Sequence, residues 1–203
     1  MFAVLPHLGR HLAQFGGSAV VVVIAASAGT YLEPGTDLRS PLLDTALARR
    51  PFVRRSAGLL SQALLVGVVT SVVLIAIDRT LFSASVASRP VWTGVLYALF
   101  GGASEEVIFH YGLLTAVAWL ALRLLPGAAA YWVAIVISSV ALGLSHLGGP
   151  LLPVSAPAPM RALVLTTMVG VVTGWLYWRR GLEAAMLCHG LISFALHVAA
   201  PGV

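Results

Sequence analysis

Long apolar runs separated by short polar stretches dominate the chain, and the distance between the breaks predicts helices of membrane-spanning length. Four runs contain no Arg, Lys, Asp or Glu, at roughly 12–32, 56–77, 131–148 and 184–200. A helix needs ~20 apolar residues to cross ~30 Å of hydrocarbon, and these runs come close to or meet that length. A fifth run extends from Ala162 to Trp178. The stretch from Pro90 to Leu122 is longer, since about 33 residues at ~1.5 Å rise would reach ~50 Å, and it must tilt, break or re-enter. Gly101 and Gly102 mark the expected break, because glycine weakens a helix and lets backbone or ligand come close. The pattern therefore predicts an all-α polytopic transmembrane helical bundle of about six spans, with one long kinked or broken helix.

Composition agrees with that pattern. Apolar residues make up 59% of the chain and charged residues 9%, and the mean hydropathy is +0.96, which excludes an ordinary soluble domain. With no internal repeat, residues 1–203 are expected to form a single integral-membrane domain. Every basic residue is an arginine, and Arg39, Arg49, Arg50, Arg54 and Arg55 share the loop after the first run. Placing that loop in the cytoplasm also puts Arg123, Arg179 and Arg180 there, leaves Arg10, Arg79, Arg89 and Arg161 outside, and sets both termini outside. Arg10, the run after it and Ala26-Ser27-Ala28 have the look of a cleavable signal peptide. Cleavage would strand the Arg-rich loop outside, so an uncut helix is preferred.

The net charge of +5 and pI near 10.1 follow from arginines that anchor helices against anionic lipid. Membrane lipid is thus an expected partner, and nucleic acid is not. Cys188 is the sole cysteine, so no internal disulfide and no cysteine-rich metal site can form. Its expected role is a small apolar residue packed in a helix. Between the fourth and fifth runs, Leu151, Leu152 and Val154 lie among prolines and suggest an extended flap in the interface.

Two acids and several histidines interrupt this apolar background, and intramembrane ionisable groups are presumed functional. Glu106 and His110 are four apart, share a helix face and can form a charged hydrogen bond. Glu105 faces about 100° away, free to project into a cavity as a general base. A neutralised structural pair is the competing reading, but leucine would serve packing better. His146 follows Leu142-Gly143-Leu144-Ser145, near the end of its run. His189, Ser193 and His197 lie on nearly one stripe of the last helix, pointing at an interior. His197, close to the chain end, ranks second among these, and Ser193 has interhelical hydrogen bonding as a competing role.

These motifs, in this order and in three apolar segments, resemble the CPBP intramembrane proteases, the family that contains the prenylated-protein CAAX endopeptidase and bacteriocin-processing or immunity proteins. The resemblance covers roughly 92–198 and includes the stretch from Gly174 to Leu182, with its Gly and Arg-Gly approach to the final histidine. Where the family has Glu-Glu-x-x-x-Arg, this chain has His110. Leu142 replaces an aromatic residue, and Ser193 stands where Asn or Asp is usual. An imidazole in place of a guanidinium loses a fixed charge and makes the contact with Glu106 sensitive to pH.

The resemblance implies metal-independent hydrolysis of a membrane-associated peptide or protein, with no cofactor. In that scheme Glu105 and His146 activate water, His189 and Ser193 hydrogen-bond the oxyanion, and Glu106 with His110 orients the site. A zinc-dependent form would use Glu105, His146 and His189 as ligands. A non-catalytic adaptor or bacteriocin-immunity protein would keep the fold and let the site drift. A proton-coupled transporter would favour duplicated halves, which are not found, and Ser104 lacks the flexible turn of a Ser-His protease. A multi-pass location in a cell membrane follows, with the bacterial plasma membrane as the expected home.

Overall fold

The computed structural model describes residues 5–41, 44–45, 53–82, 91–147 and 157–199. Helix α1 is Leu5–Leu32, and α2 is Val53–Ile77, continued by a π-helical turn Asp78–Phe82. Helix α3 runs over 91–121, α4 is Gly127–Ser145, α5 is Pro157–Arg180, and α6 is Leu182–Phe194 with a π-helical end Ala195–Ala199. No strand occurs among the described residues. Each predicted apolar run is a helix, so the all-α bundle read from the sequence is the observed architecture.

Ser18–Gly35, Gly58–Phe82, Gly127–Ser145 and Pro159–Arg180 are long and apolar enough to cross a membrane, and Leu182–Val198 is a shorter apolar helix. The distribution of side chains has the bilayer as its solvent. Leu65, Val68, Val69 and Val72 of α2 and Val136, Ile137 and Val140 of α4 face outward. The inward faces carry small or polar groups: Ala63 and Ser71 on α2, and Ala130, Ala134, Ser138 and Ser139 on α4. Small residues let helices approach closely where hydrophobicity alone gives no preference for protein over lipid.

Helix α3 is continuous through Gly101–Gly102. The expected break is instead a change of winding, with π-helical stretches at Tyr97–Gly101 and Glu106–Leu114 on either side of a short α-helical piece, Gly102–Glu105. Such windings are rare and concentrate at functional sites. The close approach expected at these glycines is present: a Cβ on Gly102 would stand 3.1 Å from the backbone nitrogen of Gly190 on α6. Helices α3 and α6 therefore cross nearly backbone to backbone, which brings His189 beside the paired acids.

Helix α5 is seated against α3 and α4 by glycine. A Cβ on Gly170 would stand 3.0 Å from Ser139 Cα, and one on Gly174 would stand 3.0 Å from His110 Nε2. A bidentate ion pair joins α2 to α5, Arg161 Nε and Nη2 donating to the two oxygens of the buried Asp78 carboxylate at 2.5 and 2.7 Å. Cys188 is fully buried among Leu165, Val169, Leu176 and Ile192, the packing role expected of it. The α5–α6 turn needs glycine, because Gly181 has φ of 110°, in the left-handed region. Next to it the Leu182 N–H donates to the Arg39 carbonyl at 3.1 Å, tying the segment after α1 to this turn. The flap suggested by Leu151, Leu152 and Val154 lies outside the described residues, as do Arg49, Arg50 and Arg89.

Candidate active site

Glu105, Glu106, His110, His146 and His189 converge in the bundle, drawn from α3, the end of α4 and α6. Glu106 is completely buried and lies between two imidazoles. Its Oε1 is 2.8 Å from His189 Nδ1, and its Oε2 is 2.8 Å from His110 Nδ1. The first contact is a well-formed hydrogen bond. The second is an electrostatic contact off the hydrogen-bonding direction, and among the described residues neither Glu106 Oε2 nor His110 Nδ1 has another partner.

Backbone carbonyls fix the orientation of the outer imidazoles. His110 Nε2 lies 3.1 Å from the Gly170 carbonyl, which can only accept, so this nitrogen carries a proton. His110 Nδ1 then faces Glu106 Oε2 at 2.8 Å without a formed hydrogen bond. At the other end of the site, His146 caps α4, with Nδ1 3.0 Å from the Leu142 carbonyl and Nε2 turned toward Glu105. A proton on Nδ1 satisfies a carbonyl left over at the helix end, and the neutral ring then presents the Nε2 lone pair to the site.

Glu105 is the accessible acid. Its carboxylate is 23% exposed against 0% for Glu106, and the neighbouring His146 side chain is 34% exposed. Glu105 Oε1 is 3.5 Å from His146 Nε2, and Oε2 is 3.6 Å from His189 Nε2. Both gaps exceed the ~3.2 Å limit of a direct hydrogen bond and leave each pair within reach of a bridging water. The two carboxylates thus divide as the sequence suggests, Glu106 enclosed by its partners and Glu105 open to a small molecule.

Ser193 lies one turn beyond His189, half-buried, and makes no hydrogen bond to the cluster among the described residues. His197 is exposed near the end of α6. The proposed zinc ligands Glu105, His146 and His189 are neighbours, yet among the described residues no group of three or more His, Cys, Asp or Glu side chains is arranged to hold a metal ion. Sequence reading missed the carbonyls of Gly170 and Leu142, which orient two of the three imidazoles. Gly170 had a visible signal in Gly170-x-x-x-Gly174, a spacing that brings another element close to a helix backbone.

A family model described as type II CAAX prenyl endopeptidase Rce1-like matches residues 87–195. No curated protein and no solved structure matches.

Proposed function

Because the chain belongs to the Rce1-like family of type II CAAX prenyl endopeptidases, we propose that it cleaves a peptide bond of a membrane-associated protein or peptide, with Glu105 as the base that activates water. Membership of this protease family makes the chain a membrane peptidase at the family level. The observation supporting the finer reading is Glu105 itself, a partly exposed carboxylate flanked by two Nε2 atoms at 3.5 and 3.6 Å.

A water lodged beside this pair, within hydrogen-bond reach of both atoms, would donate to Glu105 Oε1 and to His146 Nε2. As its oxygen attacks the scissile carbonyl, Glu105 takes a proton, and the carbonyl oxygen becomes an oxyanion. Glu105 then returns that proton to the leaving amine as the C–N bond breaks, so the residue ends as it began. The oxyanion needs a donor. His189 supplies it from Nε2 only as an imidazolium, because its Nδ1 hydrogen is already directed at Glu106. Glu106 and Glu105 both stabilise that cation. In this reading the His189 cation offsets part of the charge of the two carboxylates within the bilayer, and His146 acts as the neutral acceptor. Ser193 enters as a secondary donor beside His189. No step passes through a metal.

The test uses the full chain in proteoliposomes with a quenched-fluorescence prenylated peptide, a probe chosen for the family. Glu105→Gln removes the base and is expected to lower turnover by at least about a hundredfold, the contribution of a positioned general base. His146→Ala is expected to do the same, with both variants unfolding at wild-type temperature. Full turnover in either variant rejects these assignments.

A further inference from the structure

We propose that the Arg-rich end of the bundle holds a binding site for a phosphate group, such as that of an anionic lipid headgroup, independent of the peptidase centre. A cavity of about 300 Å³ there is lined by Arg39, Arg179 and Arg180 together with Asp37, Trp178 and the backbone of Gly181. Three arginines and one aspartate are among the residues lining it. None of the three arginines makes an ion pair with an acid among the described residues, whereas Arg161 is fully engaged by Asp78.

The cavity has a built frame. Two lining residues are tied in place there: the Leu182 N–H donates to the Arg39 carbonyl beside Gly181, where any side chain would strike Pro41. One wall is Trp178, stacked on Tyr131 with ring centroids 4.9 Å apart. The Tyr131 hydroxyl accepts from the Asp37 backbone N–H at 2.7 Å, which ties Asp37 to the same ring. Arg179 lies over Trp178 with its guanidinium carbon 5.2 Å from the ring centre.

Position and chemistry then agree. Arg179 and Arg180 end the apolar segment Pro159–Arg180, so the cavity lies at the depth where a spanning helix meets the headgroups. Arginine forks match phosphate oxygens bidentately, and basic pockets between membrane helices at this level bind phosphorylated headgroups. Like charges gathered at one cavity repel one another, and a phosphate bound there offsets that repulsion.

The experiment is native mass spectrometry of the full chain in detergent, titrated with phosphatidylglycerol or with phosphatidylcholine, with and without millimolar inorganic phosphate as competitor. Roughly fivefold weaker phosphatidylglycerol retention is expected for each arginine removed, and about a hundredfold for Arg39→Gln, Arg179→Gln and Arg180→Gln combined. Arg123→Gln, whose guanidinium lies over the Trp119 ring at the same end, should retain the lipid as wild type does. Retention that survives inorganic phosphate identifies the headgroup as occupant. Displacement by inorganic phosphate, which itself then binds wild type but not the triple variant, identifies free phosphate and supports the same site. Equal retention by the triple variant and wild type, or an equal loss in Arg123→Gln, overturns the proposal. Arg179→Gln alone provides the fivefold reading should the triple variant unfold. The readout is binding, so an inactive peptidase would leave it unaffected.

Discussion

Replacing Glu106 by Gln and by Leu separates its structural role from its chemical one. Glu106 is buried with His189 Nδ1 and His110 Nδ1 each 2.8 Å from a different oxygen. Gln keeps the shape and can keep both contacts, its oxygen accepting from His189 and its NH2 donating to His110 Nδ1. That arrangement requires only that His110 become neutral, with its remaining proton still donated from Nε2 to Gly170. The expected stability loss is about 1 kcal/mol, the exchange of charge-assisted hydrogen bonds for neutral ones. Leu offers neither contact, strands the His189 Nδ1 hydrogen at about 1–3 kcal/mol and takes from His110 Nδ1 its neighbouring charge, so its loss should exceed that of Gln by about 1–3 kcal/mol. Activity should fail in both. Without the Glu106 charge His189 no longer holds its extra proton, and the oxyanion loses a donor, which is worth ~10²–10³ in turnover. Unfolding in detergent micelles and cleavage in proteoliposomes measure the two quantities separately. Wild-type turnover in Glu106→Gln, or a stability loss as large as that of Glu106→Leu, would refute the account of the buried acid.

Turnover should fall on the alkaline side, where His189 loses the proton it donates to the oxyanion, and in Glu106→Gln that fall should begin at lower pH because the carboxylate that holds the cation is gone; a flat alkaline limb in wild type contradicts this proton assignment. Gly102→Val places side-chain atoms where a Cβ alone would stand 3.1 Å from Gly190 N, so it should cost about 1–3 kcal/mol and reduce cleavage by moving His189 from Glu105. Unchanged activity would mean that this helix crossing does not set the site. Turnover should withstand millimolar phenanthroline, and loss with recovery on added zinc would reassign Glu105, His146 and His189 as ligands. Ser193→Ala should lower turnover less than tenfold, since Ser193 makes no hydrogen bond to the cluster among the described residues.

The helices were legible because lipid imposes one rule along the whole chain: apolar for about twenty residues, then polar. Residues 12–32 and 131–148 could be read in this way with no tertiary information, and they fall within or nearly match α1 and α4. The division between Glu105 and Glu106 was also legible, since helical spacing put His110 on the face of Glu106. The winding of α3 was not. Glycine signals both a break and a close approach, and only the partner decides which occurs. Gly190 on α6 rewards the approach, so α3 stays continuous. The tautomers were equally out of reach, because they depend on backbone carbonyls of other turns and helices, and every residue carries the same carbonyl.

The replacement of arginine by His110 acquires a physical meaning from those carbonyls. An arginine would offer Glu106 a permanent charge and several donors, whereas an imidazole offers two nitrogens and a proton that can leave. Gly170 takes the Nε2 hydrogen, and the space beside Gly174 admits the ring with no room for a Cβ. The imidazole is therefore oriented by α5, which brings Nδ1 to 2.8 Å from Glu106 Oε2 without a formed hydrogen bond. What differs is the donor: a guanidinium fork presents several in fixed directions, whereas the imidazole presents one nitrogen off the hydrogen-bonding line. The same reasoning applies one step further along, where Glu106 holds His189 and His189 faces Glu105. The accessible acid is thus connected through alternating carboxylates and imidazoles to a backbone carbonyl on α5, and in the proposed mechanism Glu106 and His110 act on it without touching the substrate.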